Sequence, residues 1–105
     1  MIKFIFEVTI KPTSTEGEYI EAWKRGSAII QKEPGANSTI LHRKMDGSGK
    51  LLAIARWESK ELRDAAMKRL DTLEPAIQAI INKHKEFGDT TILGFFEEIT
   101  EINPQ

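Results

Sequence analysis

Lys50-Leu51-Leu52-Ala53-Ile54-Ala55-Arg56-Trp57 is an alternating segment that runs through Glu58-Ser59 into a helical pattern beginning at Leu62. A strand, an aromatic stop and a helix start follow one another with no room for a loop. Just upstream, Asp46-Gly47-Ser48-Gly49 supplies turn chemistry, and Ser38 to Met45 reads as the partner strand. The middle of the chain is therefore a hairpin, and what flanks it decides the fold.

On the amino-terminal side, Ile2, Phe4, Phe6, Val8 and Ile10 alternate with Lys3, Ile5, Glu7 and Thr9 until Pro12 ends the pattern. This is a strand. Thr15 and Glu18 have capping-box spacing, and the helix they open carries Tyr19, Ile20, Ala22, Trp23, Ser27 and Ile30 along one stripe. Gly26 on that helix predicts a close approach to the sheet, because it has no side chain to hold the backbones apart. Lys32 followed by Pro34-Gly35 stops the helix.

On the other side, Ser59 caps a helix that presents Leu62, Ala65, Ala66, Arg69 and Leu70. Asp71-Thr72-Leu73-Glu74-Pro75 breaks it, with Asp71 and Glu74 resembling a capping pair and Pro75 tolerated in a first turn. Ile77, Ile80, Ile81 and His84 then share one helical face, and Gly88 ends that helix. Thr90 to Ile99 is the last strand, with Leu93, Phe95 and Glu97 on one face and Ile92, Gly94 and Phe96 on the other. The polar tail from Thr100 is expected to fray.

The elements give an α+β fold of β-α-β-β-α-β plan: a ferredoxin-like, four-stranded antiparallel sheet with helices on one face, in a single domain spanning 1–105. Several strands are apolar on both faces. Ile5 opposes Phe4 and Phe6, Ile40 opposes Leu41, and Ile92 and Phe96 oppose Leu93 and Phe95. A half-solvated sheet is normally polar on its outer side, so this pattern predicts a homodimer closed through the face away from the helices.

Composition narrows the chemistry. The chain has 105 residues, 40% hydrophobic and 30% charged, as expected of one globular domain. A net charge of -1 provides no field for a phosphate backbone, so nucleic acid is not an expected partner. No cysteine is present, which excludes disulfides, a thiolate nucleophile and thiolate metal sites. Glu7 interrupts the apolar amino terminus too early for a secretory signal, and no run approaches the roughly eighteen apolar residues of a membrane helix. The expectation is a cytoplasmic protein with no membrane partner.

Six residues are candidates for a site. Trp57 is either a packing anchor where the chain turns or the aromatic wall of a ligand cavity. Tyr19 and Trp23, one helical turn apart, are core or pocket, and each polar tip needs a partner if buried. His42 is a cross-strand or interface residue, or else a cavity base; alternation places it with Ile40 on a face the sequence leaves undetermined. His84 closes an apolar helical face, where it satisfies a terminal carbonyl or serves as an acid–base group near neutral pH. Arg56 either holds an anionic group in a cavity or bridges to Glu7, Glu97 or Glu98. The two histidines lack metal-site spacing, and Gly47 and Gly49 sit in a hairpin turn where no phosphate-binding fingerprint belongs.

The long first helix ending at Glu33-Pro34-Gly35-Ala36, and the stretch Ile54-Ala55-Arg56-Trp57-Glu58-Ser59-Lys60-Glu61-Leu62, resemble the dimeric α/β barrel superfamily and its antibiotic-biosynthesis-monooxygenase-type domains. The resemblance runs from Lys3 to about Glu98. It implies sheets paired back to back in a dimer, with a cavity between sheet and helices. Some members similar to this chain oxidise aromatic compounds with molecular oxygen and neither metal nor flavin. Haem-degrading members carry an Asn on the first strand, a Trp after the third strand and a His about ten residues beyond it. Here Val8-Thr9, the segment after Ser59 and Met67 to Ile77 lack all three, so haem chemistry is not implied. The stretch from Leu73 to Phe87 is longer than the family minimum and is placed to shape the cavity mouth.

The resemblance thus implies a cofactor-free monooxygenase acting on a small aromatic ligand. The base would be His84 or His42, with His84 favoured because its apolar face should pack toward the sheet. Tyr19, Trp23, Arg56 and Trp57 would contact the ligand. The rival reading is a non-catalytic dimeric module that binds a small ligand or completes a complex.

Overall fold

The computed structural model describes residues Met1–Gln105. Its elements are β1 (Ile2–Ile10), α1 (Glu16–Ile30), β2 (Ala36–Arg43), β3 (Leu51–Trp57), α2 (Lys60–Leu70), α3 (Pro75–Asn82), a single 3-10 turn (Lys83–Glu86) and β4 (Gly88–Glu97). The strands pair antiparallel in the order β2-β3-β1-β4, so the first strand lies inside the sheet and the last forms an edge. This is the ferredoxin-like plan, with α3 and the 3-10 turn added before β4.

Register assigns the two faces. Ile2, Phe4, Phe6 and Val8 pair with Trp57, Ala55, Ala53 and Leu51 on the helix side. Val8, Leu51, Ala53 and Trp57 are buried there. Lys3, Ile5 and Glu7 pair with Arg56, Ile54 and Leu52 on the open side. Val8, Tyr19 and Leu51 form the core cluster, with Phe6, Ile10, Trp23, Leu41 and Phe87 packed around it. Removing Val8 or Leu51 from water contributes roughly 1.5–3 kcal/mol each.

Local signals hold where they were strongest. The Thr15–Glu18 capping box forms in both directions, and Ser59 Oγ accepts from the Leu62 amide at 3.1 Å. In the hairpin connection, the Ser48 amide donates to Asp46 Oδ1 at 2.9 Å, with Gly47 and Gly49 both at positive φ.

Several boundaries and faces differ from the sequence reading. β2 starts and stops two residues early, because Ala36 already pairs with Trp57 and the Lys44 amide joins Lys50 in the connection. A bulge lies between Ala36 and Thr39, where Ser38 takes φ 74° and its amide donates to Gln31 Oε1 at 2.9 Å. β4 starts at Gly88, whose backbone lies against the core: a Cβ there would sit 2.8 Å from Val8 Cγ1 and 3.0 Å from Tyr19 Cδ2. A second bulge skips Leu93, so Ile92 pairs with Phe6 and shares the face of Phe95, where simple alternation had separated them.

Gly26 also has a different neighbour from the one expected. A Cβ there would lie 2.9 Å from the Ile81 carbonyl oxygen, so the close approach is to α3 and not to the sheet. The Asp71–Glu74 capping pair does not form. Glu74 makes no side-chain cap, and Gln78 Nε2 instead donates to the carbonyls of Asp71 at 2.9 Å and Leu73 at 2.7 Å. On α2, Ala66 and Leu70 are buried as read, but Arg69 faces outward and donates to Glu33.

Candidate active site

A cavity of about 210 Å³ lies between the helix side of the sheet and the helices. Its floor is Phe4 and Phe6 of β1 with Ala55 and Trp57 of β3. Trp23, Gly26, Ser27 and Ile30 line it from α1, and Arg63 and Met67 from α2. Gln31 after α1 and Thr39 of β2 add to it, and the last wall is the end of α3 and the 3-10 turn, where Ile81, Asn82, His84 and Lys85 face it. Half of the lining residues are hydrophobic, and polar side chains from α1, β2, α2 and the 3-10 turn are set among them.

The break between α3 and the 3-10 turn places His84. α3 packs directly on α1 at Gly26, which brings Ile81 and the following turn over the cavity. A larger residue at position 26 would push α3 outward and carry His84 with it. Gly26 therefore connects a feature of the first helix to the position of the histidine.

His84 is mostly buried, and its Nδ1 atom is sealed from solvent with no hydrogen-bond partner. Its ring meets Tyr19 edge to face, with centroids 5.6 Å apart and planes at 86°. The Tyr19 hydroxyl is likewise buried without a partner. Two adjacent unmatched polar groups are costly, on the order of 1–3 kcal/mol each, and such groups concentrate where function requires them. Burial pushes the Tyr19 phenol up to about 12, so it stays protonated. Burial also lowers His84 from its ordinary value, assisted by the neighbouring Lys85 charge and opposed by the Ile81 carbonyl. At neutral pH His84 is thus a neutral imidazole able to accept a proton.

The structure separates the six residues singled out from the sequence. His84, Trp23 and Trp57 line the cavity, and Trp57 is at the same time a buried core residue, 2% exposed. Tyr19 lies behind His84 in the core and does not reach the cavity. His42 pairs with Leu52 on the open face, where its Nδ1 lies 3.1 Å from the Leu52 carbonyl oxygen. Arg56 is on the open face too, and its guanidinium donates to both carboxylate oxygens of Glu98 at 3.1 and 3.3 Å. That is the salt-bridge alternative, not the cavity one.

Arg63 is the cavity guanidinium, and the sequence reading missed it. Its Cζ stands 4.7 Å from the Phe4 ring centroid and 5.1 Å from that of Phe95. The signal was its spacing: Arg63, Ala66, Met67 and Leu70 form one helical stripe, which a reading anchored on Leu62 and Arg69 rotates away from. No three His, Asp or Glu side chains converge anywhere to hold a metal ion, and no helix is long and apolar enough to cross a membrane.

Solved structures share this architecture. SnoaB, a cofactor-independent oxygenase from Streptomyces nogalater, superposes with a TM-score of 0.78 at 16% identity, over 98% of this chain and 97% of that one. A Bacteroides thetaiotaomicron protein described as a possible oxidoreductase gives 0.70 at 20% identity, over 92% and 96%. Rv0793 from Mycobacterium tuberculosis gives 0.67 at 15% identity, over 97% and 98%. At these identities the likeness establishes the fold. No curated protein sequence matches the chain. The sequence profile of the antibiotic biosynthesis monooxygenase family matches residues 1–82, from β1 through the end of α3, and with the sheet and helix arrangement it fixes the kinship: the chain belongs to that family.

Proposed function

We propose that the protein is a cofactor-free monooxygenase of a small aromatic compound, with His84 as its general base. The observation that carries this reading is a largely buried imidazole in the wall of the cavity, kept neutral by its burial. The aromatic walls Trp23, Trp57 and Phe6 suit a flat ring.

In this reaction His84 removes a proton from an activated ring CH₂ group. The resulting carbanion gives its electron pair to molecular oxygen, forming a C–O bond and a peroxide. The imidazolium returns its proton to the peroxide. Cleavage of the O–O bond with loss of the remaining C–H proton then releases water and leaves a carbonyl, so that CH₂ and O₂ become C=O and H₂O. The substrate supplies the electrons. The protein's contribution is a water-poor cavity and a placed base, and general-base catalysis of this kind contributes roughly 10²–10⁴-fold.

The proposal includes a homodimer through the open face. Ile5, Leu52 and Ile54 lie there beside Ile40 and Phe96, which are 55% and 47% exposed.

The test is oxygen uptake by chelated, flavin-free protein on reduced phenols of one or two fused rings, with one carbonyl formed per O₂ consumed. Ligand binding without any uptake, across substrates that fill the cavity, would leave a binding module instead. A monomeric mass by light scattering at micromolar concentration would reject the dimer.

A further inference from the structure

The chain's charges nearly balance, with 15 Lys and Arg against 16 Asp and Glu, but the cavity does not share that balance. Arg63 and Lys85 line it, and no Asp or Glu does. Elsewhere the carboxylates are close to their cations: Glu98 takes Arg56, Glu16 takes Arg43, Glu33 takes Arg69 and Glu7 takes Lys44. Neither cavity cation, Arg63 nor Lys85, has a hydrogen-bonded carboxylate. The nearest carboxylate to Arg63 is Asp64, with Nη1 to Oδ1 at 3.7 Å, longer than a hydrogen bond, and Lys60 already holds Asp64 at 2.8 Å.

Arg63 is also held in place. Its side chain is only 22% exposed, and the faces of Phe4 and Phe95 both lie within cation–π range of the guanidinium. A fixed, half-desolvated guanidinium with free donors is a poor use of a charge unless an anion completes it.

Building on the aromatic-ligand reading above, we infer that the cavity takes an aromatic carboxylate, its acid group gripped by the planar fork of Arg63 and its ring set against Trp23, Trp57 and Met67. The guanidinium presents paired donors that match two carboxylate oxygens, which a hydroxyl or an ester does not. Lys85 adds a second positive charge from the 3-10 turn, and a cationic ligand finds nothing to pair with. At about 210 Å³ the cavity is smaller than the roughly 300–1,000 Å³ of drug-sized pockets, which limits the ligand to one or two fused rings. The bound anion also offsets the cationic neighbourhood of His84, so the base accepts its proton more readily once the ligand is in place.

Calorimetric titration under argon with 1,4-dihydroxy-2-naphthoate and its methyl ester tests this, because the ester removes the charge and adds only a methyl group, and Arg63→Gln separates the two effects. The acid is expected to bind the wild-type protein roughly ten- to a hundredfold more tightly than the ester. Arg63→Gln should erase that preference, Arg63→Lys should keep part of it, and Arg56→Gln should leave it intact, with circular dichroism confirming the fold of each. An ester that binds as well as the acid, no binding of either, or a preference that survives Arg63→Gln would overturn the inference. Oxygen uptake is read separately. Arg63-dependent selection of the acid, with no uptake on acids that bear an activated ring CH₂, removes the oxygenase reading and keeps the carboxylate; equal turnover of such acids and their esters does the reverse.

Discussion

A histidine and an arginine stand on either side of the sheet, His42 and Arg56 on the open side and His84 and Arg63 on the helix side, in opposite surroundings. On the open face, Arg56 forks onto Glu98 and holds its carboxyl below the usual range, while His42 stays exposed beside a backbone carbonyl. On the helix face, Arg63 has no carboxylate within hydrogen-bond range, and His84 has a sealed nitrogen with no partner. Satisfied groups in water are structural, and most surface ion pairs of the first kind contribute little. Unsatisfied groups beside a cavity are poised for a ligand. Environment, and not residue type, separates the pair proposed to meet a ligand from the pair held in surface contacts.

The widest split between the faces is expected in turnover. His84→Ala should lower the rate of oxygen uptake roughly 10²–10⁴-fold, whereas His42→Ala should leave it close to wild type. Equal losses in both variants would erase the distinction. Next in size is the loss of stability on truncating Trp57, which is both floor of the cavity and buried core. Trp57→Ala should cost about 3–5 kcal/mol by chemical denaturation. A loss below about 1 kcal/mol would mean that Trp57 is a dispensable wall.

Two glycines on α1 sharpen the same contrast between packed and open surroundings. Gly26→Ala drives a methyl group against the α3 backbone and should cost about 1–3 kcal/mol, with turnover falling because His84 moves too. Gly17 has nothing closer than Thr15 Oγ1 at 3.9 Å, so Gly17→Ala should be neutral or stabilise by up to about 1 kcal/mol. Thermal melts and uptake rates of the two variants check the pair.

The sequence was most informative where structure is set locally. The Thr15–Glu18 box, the Ser59 cap and the Asp46–Gly49 turn each depend on residues a few positions apart, and each formed as read. The alternation of β1 likewise assigned Phe4, Phe6 and Val8 to one face correctly. What failed depends on distant partners. The bulge at Leu93 arises from pairing with β1 and reverses the face of Ile92. Gly26 reads equally well as a sheet contact or a helix contact until α3 is placed. Arg56 and Arg63 are indistinguishable by type, and only the sheet register and the rotation of α2 put one outside the cavity and the other inside. His84 was legible as the end of the apolar face Ile77-Ile80-Ile81, but that face does not pack toward the sheet as read: α3 lies on α1 at Gly26, and Ile80 is 43% exposed.

The smallest expected effect concerns stability against pH. Burial lowers His84 in the folded protein, so the unfolded chain takes up that proton at higher pH than the folded one. The stability present above the ordinary histidine value of about 6.5 is therefore lost as pH falls through the folded value. Denaturation curves of the wild type should weaken over that window, and those of His84→Gln should weaken less.

The most direct measurement of the central claim is the pH profile of oxygen uptake per unit of chelated, flavin-free enzyme under subsaturating substrate. The account expects the rate to climb through a single ionisation below the ordinary histidine value, to be flat by neutral pH, and to lose that limb in His84→Gln while keeping it in His42→Gln. A limb that persists unchanged in His84→Gln, or activity that disappears on chelation, would contradict it.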